Sequence, residues 1–147
     1  MIAFIVLAAA AGAIAQTPLQ PFTPLVGHCF GGPAPGNQGT DRHCFESVYG
    51  GQHIRDRHVV TIAGKAVYEG ETLYSAKGTE VVFTYWNSLG GLGTGTATLG
   101  AGEWRFSGTI HATPVGKEQP LTASWKLTPD GYEVGSGGKP TAFKRAD

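Results

Sequence analysis

Apolar and polar residues alternate with a period of two along most of this chain. Trp104, Phe106 and Ile110 alternate with Arg105, Ser107 and Thr109, and Leu121, Ala123, Trp125 and Leu127 alternate with Thr122, Ser124 and Lys126. That period is the mark of half-buried strands, with successive side chains on opposite faces. Glycine and proline punctuate the pattern: Gly50-Gly51, Ala63-Gly64-Lys65, Ala76 to Thr79, and Pro129-Asp130-Gly131 are turn signals. The predicted strands are Leu25–Phe30, His43–Tyr49, His53–Thr61, Ala66–Ser75, Val81–Ser88, Gly95–Leu99, Trp104–Ala112, Leu121–Thr128, Tyr132–Ser136 and Thr141–Arg145. Residues 16–24, with Pro18, Pro21 and Pro24, read as an extended lead-in, and Gly31 to Gly39 as a loop.

Register follows from the turns. Gly50-Gly51 suits a two-residue hairpin, which sets Ser47 opposite Ile54, Glu46 opposite Arg55, Phe45 opposite Asp56 and His43 opposite His58. Glu46 and Arg55 are then an opposite-charge cross-strand pair. With Cys29 opposite Cys44, one face holds His28, Phe30, His43, Phe45, Asp56 and His58, joined by Val26, Ile54 and Val60. The other face holds Cys29, Cys44, Glu46, Arg55 and Arg57, and the first is assigned to the interior. A four-residue loop at Ala76–Thr79 would place Tyr74, Thr72, Gly70 and Tyr68 beside Val81, Phe83, Tyr85 and Asn87. This set is taken as inward, because the opposite choice would bury Glu69 and Glu71.

Eight to ten short strands in hairpin succession, with no crossover helix, predict an all-β fold: an antiparallel up-and-down β-barrel over residues 25–147. Closure removes exposed edges, and a barrel of this size has room for side chains and one small ligand.

Composition adds compartment and excludes partners. Residues 1–15 are uncharged and apolar and end in Ala13-Ile14-Ala15, the small-x-small pattern of a secretory signal peptide, with cleavage expected before Gln16. Removing 15 of 147 residues leaves 132, enough for one domain with a core. The segment is short for a membrane span, so no stable membrane insertion is expected after cleavage. The expected location is periplasmic or secreted, where two cysteines pair as a disulfide, Cys29–Cys44. Eleven Lys and Arg balance eleven Asp and Glu, which speaks against nucleic acid as a partner.

The chemistry concentrates where His28-Cys29-Phe30 recurs as His43-Cys44-Phe45. Adjacent strand residues point to opposite faces, so His and Cys of one copy cannot easily grip one ion. The cysteines instead staple one face, and the histidines line the other. Candidate ligand-binding wall residues are His43, His58, Tyr68, Tyr85 and Asn87. His43 facing His58, with His28 and Asp56 one row along, is also donor chemistry suited to zinc, copper or haem iron, although no His-x-His or His-Glu-x-x-His pattern reinforces it. Leu89 to Gly95 fits neither dinucleotide nor phosphate-loop spacing and is read as a hairpin connection. Ser47 near His43 and His58 lacks an oxyanion donor, so no catalytic residue is assigned and the chain is read as a non-enzyme with no cofactor.

Leu25-x-Gly27-x-Cys29 at the first strand, followed by a run of hairpins, resembles the lipocalin-like, or calycin, barrels. More closely the chain is similar to uncharacterised secreted bacterial lipocalin-like domains, in which segments such as Tyr68–Tyr74 and Phe83–Ser88 occupy central strands. The resemblance implies a barrel that binds small, often apolar molecules, with no catalytic residues. Its opening motif usually has tryptophan where this chain has Cys29, which would point Cys29 inward, against the face given by parity. Three functions are therefore weighed: a small-molecule-binding barrel, a metal- or haem-binding barrel, and a protein-binding or inhibitor module presenting the loop Gly31 to Arg42.

Overall fold

The computed structural model describes residues 17–147, so the expected signal peptide lies outside the described residues. Ten antiparallel strands run in sequence order: β1 (Cys29–Pro33), β2 (Thr40–Val48), β3 (His53–Ile62), β4 (Lys65–Lys77), β5 (Glu80–Asn87), β6 (Leu92–Gly100), β7 (Glu103–His111), β8 (Gln119–Thr128), β9 (Gly131–Gly135) and β10 (Thr141–Arg145). β10 pairs with β1 through Phe30↔Arg145 and Gly31↔Lys144, which closes the barrel. Each strand pairs with its sequence neighbours, the up-and-down arrangement that alternation and tight turns predict.

The β2–β3 register is the predicted one, with His43↔His58, Phe45↔Asp56 and Glu46↔Arg55 as Cα partners. Cys29 faces Cys44 and the two form a disulfide across β1 and β2. Parity sets the faces. Phe30, Phe45, Ile54 and Asp56 are buried inside, while the Glu46 and Arg55 side chains pair on the exterior at 2.6 Å. Cys29 and Cys44 sit on the outward parity, so the inward Cys29 implied by the lipocalin motif does not occur.

Other expectations need correction. The lead-in is not extended: Gln20–Phe22 forms a 3-10 turn, with Phe22 N–H donating to Leu19 O and Leu25 N–H to Phe22 O. Leu19, Phe22 and Leu25 recur every third residue, which places all three on one side of such turns. All three are buried, and Phe22 is fully enclosed, its ring stacked on Tyr74 at 4.9 Å and on Trp104 at 4.5 Å. The prolines thus shape a plug for one end of the barrel.

Gly31, Gly32 and Pro33 belong to β1 rather than to a loop. Gly32 is a glycine because a Cβ there would meet the Phe143 ring at 2.9 Å. His28 leaves the inward row: Gly27 at φ +84° turns the chain, and the His28 ring instead bonds Asp147 at 2.9 Å on the half-exposed rim. The β4–β5 hairpin turns in two residues, Gly78 and Thr79, with Lys77 opposite Glu80. That shifts the expected register by two and pairs Tyr74 with Phe83 and Thr72 with Tyr85, yet parity, and so the inward set, is unchanged. β6 starts at Leu92 rather than Gly95, because its glycines are packing positions. A Cβ on Gly95 would meet the Phe83 ring at 2.7 Å.

Candidate functional site

Away from the plug, the inward side chains of β2 and β3 change character. Asp41 and His43 alternate with Arg42 on β2, and Asp56 and His58 flank Arg57 on β3, so parity brings two carboxylates and two imidazoles to one patch of the inner wall. Asp56 is 2% and Asp41 8% exposed. Ionised carboxylates at that depth require hydrogen-bonded partners.

The partners form a chain. His43 Nδ1–H donates to the Asp56 carboxylate at 2.8 Å, and His43 Nε2 lies 3.4 Å from Asp41 Oδ2. Asp41 Oδ1 also accepts from His58 Nδ1–H at 3.1 Å. The other His58 nitrogen, Nε2, meets the Tyr85 hydroxyl at 3.2 Å, and the Tyr85 hydroxyl in turn meets that of Tyr68. The His43 and His58 rings stack at 4.7 Å with planes 19° apart.

Burial works against an imidazolium at His43, but the Asp56 charge, hydrogen bonds to Asp41 and Asp56, and the Asp41 charge overcome it. The His43 pKa is pushed up to about 10. Burial likewise opposes ionisation of Asp41, yet hydrogen bonds from His43 and His58 and their charges hold it well below the usual carboxylate range. At neutral pH His43 is therefore a cation clamped between two carboxylates. Burial, reinforced by Tyr68, raises the Tyr85 phenol above its ordinary value, so it stays protonated.

This patch is one wall of an interior cavity of about 330 Å³. Tyr74, Phe83, Phe106, Trp125, Tyr132 and Phe143 supply an aromatic wall, and Ile110, Leu121 and Val134 line it as well. Gly70 makes room for the polar wall: a Cβ there would overlap His58 Nε2 and come 2.7 Å from the Tyr85 hydroxyl.

His43, His58 and Tyr85 face the cavity. Tyr68 stands behind Tyr85 and reaches the site through its hydroxyl. Asn87 does not line the cavity: its side chain neighbours Tyr85, and its Oδ1 accepts from Leu89 N–H and Gly91 N–H, each at 2.9 Å, which caps the β5–β6 turn. Starting β2 at His43 leaves out Asp41, although it is the i−2 neighbour of His43 and shares its face. Tyr132 and Phe143 escape sequence reasoning because closure of β9 and β10 beside β1 brings them to the site, and no local pattern reports it.

Asp41, His43 and His58 offer donor atoms within 4.8 Å of one another. An imidazole nitrogen binds a metal in its ring plane, and two nearly parallel stacked rings cannot aim at one point between them. As arranged, the cluster is a hydrogen-bonded charge network, and a metal would require one ring to turn. No protein-family model matches this chain, and a search of curated proteins returns no match. The fold and site define a closed ten-stranded antiparallel barrel with an aromatic cavity and one buried polar wall.

Proposed function

We propose that this chain is an exported, non-catalytic barrel of the lipocalin-like kind that binds a small molecule inside. The observation that carries this reading is the 330 Å³ cavity, which lies within the range of small-molecule sites and combines an aromatic wall with a few convergent polar groups. The disulfide fits an oxidising compartment. Charged Arg57, Glu71, Arg105 and Lys144 decorate the outside while aromatics fill the inside, the reverse of a barrel built to face lipid.

A non-catalytic role is supported by the state of the histidines. Both imidazoles are bound to carboxylates, and Ser47 lies four strand residues from His43, about 13 Å along β2. The inhibitor reading depends on a loop from Gly31 to Arg42. Only residues 34–39 lie outside the strands there, and the segment is folded back by the Ala34 N–H bond to Gly39 O, with Ala34 buried.

Native mass spectrometry of the mature protein purified from its own host tests the proposal. A retained organic mass that is lost on substituting Trp125→Ala is the expected result. Retained zinc or haem instead, lost in His43→Ala and His58→Ala, would replace this reading with the metal one.

A further inference from the structure

Among the described residues that line the cavity, one side-chain polar atom is buried without a hydrogen-bond partner. Tyr132 is 1% exposed, its ring lies flat against Phe143 with planes 5° apart, and it lines the cavity. Its hydroxyl has no hydrogen-bond partner in the protein. The Asp56 and Asp41 carboxylates are already taken up by His43 and His58. Buried hydroxyls are nearly always paired, because losing water without gaining a partner is costly. Burial and the nearby Asp56, Tyr74 and Asp41 also raise the Tyr132 pKa, so this group offers a proton and does not give it up.

The geometry points to a neutral, flat ligand with one acceptor oxygen, such as an aryl ketone, ester or quinone, stacked in the aromatic cavity and receiving a hydrogen bond from the Tyr132 hydroxyl. This rests on the small-molecule reading and narrows it. An anion would face two buried carboxylates, and an ammonium has no lone pair for Tyr132. A hydrocarbon would leave the hydroxyl unpaired. At about 30 Å³ per water-sized group, the cavity takes a molecule of about a dozen non-hydrogen atoms.

Four naphthalene probes of matched size separate the possibilities by calorimetric titration: 1-acetylnaphthalene, 1-ethylnaphthalene, 1-naphthoate and 1-(aminomethyl)naphthalene as the ammonium. The ketone is expected to bind the unaltered protein about fivefold more tightly than the hydrocarbon, as one net hydrogen bond allows, with the two ions weaker still. In Tyr132→Phe the ketone should fall to the hydrocarbon's affinity while the hydrocarbon is unchanged. The ketone's carbonyl stretch should move to lower frequency on binding, and this shift should be absent in the variant.

Equal affinity of ketone and hydrocarbon, a preference for either ion, or a ketone indifferent to Tyr132→Phe would overturn this assignment while leaving small-molecule binding intact. If none of the four binds, this assignment is overturned as well, and the small-molecule reading is then decided by the retained mass in the native spectrum. The unliganded variant supplies an independent check, because removing an unpaired hydroxyl from an unchanged ring should leave the melting temperature the same or higher. A marked fall, or failure to fold, means the hydroxyl already has a structural partner and overturns the inference.

Discussion

The two ends of the barrel interior are made from the same strands and the same inward parity, but they solve burial differently. At the plug, Phe22 sits between Tyr74 and Trp104 with Val81 and Ala97 nearby, and stability there comes from apolar area removed from water. At the other end Asp41, His43, Asp56, His58 and Tyr85 are enclosed together, and they are tolerable only as a complete set. Such a patch gains little over a well-packed apolar one, whereas removing one member strands its partner. The plug is read as structure and the polar wall as the part kept for something other than stability.

The largest expected loss comes from the plug. Phe22→Ala should cost about 5 kcal/mol, the upper end for a fully enclosed phenylalanine, because stacked rings on both sides cannot easily collapse into the gap. Urea denaturation should show this loss unchanged between pH 6 and 9, since no titrating partner is removed. A loss that varies with pH would mean the two ends are coupled.

Asp56→Asn keeps the shape and removes the charge, and about 3 kcal/mol is expected from leaving His43 with one carboxylate. Here the dependence on pH carries the test. Because the folded His43 pKa is raised from 6.5 to about 10, its contribution is complete below about pH 6.5 and is lost as pH climbs towards 10. Asp41, held below its ordinary 3.8, contributes above that value, and its share is lost as the solution is made more acid. The difference between the parent protein and Asp56→Asn should therefore shrink steadily from pH 7 to 10. A constant difference would show that His43 is not the cation in the network.

Much of this contrast is legible in the order of residues alone, and the parts that are not share a cause. Parity and the Gly50-Gly51 tip place His43 against His58 and Phe45 against Asp56, because both are local properties of one hairpin. The inward set on β4 and β5 survives a register error of two residues, since only an odd slip exchanges faces. Prolines signal that a segment avoids the ladder, but not whether it hangs free or folds into a plug; the period of three in Leu19, Phe22 and Leu25 is the signal that distinguishes the two. Tyr132 meets Phe30, Phe45 and His43 through ring closure, although β2 and β9 are far apart along the chain. Such contacts are set by barrel geometry and not by any stretch of sequence.

The disulfide sharpens the comparison from outside. It ties β1 to β2 on the outward face, behind His43, and closes a loop with a sequence separation of 15. Reduction should cost about 2–3 kcal/mol, mostly through a freer unfolded chain. Hydrogen exchange after reduction should rise first in β1 and β2 and leave β7 and β8 protected. Uniform loss of protection would mean that the polar wall and the plug unfold as one unit.

The smallest effect falls on Gly70, and it isolates the polar wall most cleanly. Glycine in a strand interior costs order, so Gly70→Ala should gain up to about 1 kcal/mol if space allowed. Space does not allow it: the methyl would overlap His58 Nε2 and crowd the Tyr85 hydroxyl, both at the far ends of side chains that can swing aside. Swinging aside breaks the His58–Tyr85 bond, worth about 1 kcal/mol net, and adds strain of similar size. The balance is a net loss of about 1 kcal/mol, far below that of Phe22→Ala, together with a shifted His58 ring signal in proton NMR. If Gly70→Ala is neutral in stability and the His58 signal is unmoved, the glycine is not there to make room, and the link from His58 to Tyr85 is not a fixed part of the wall.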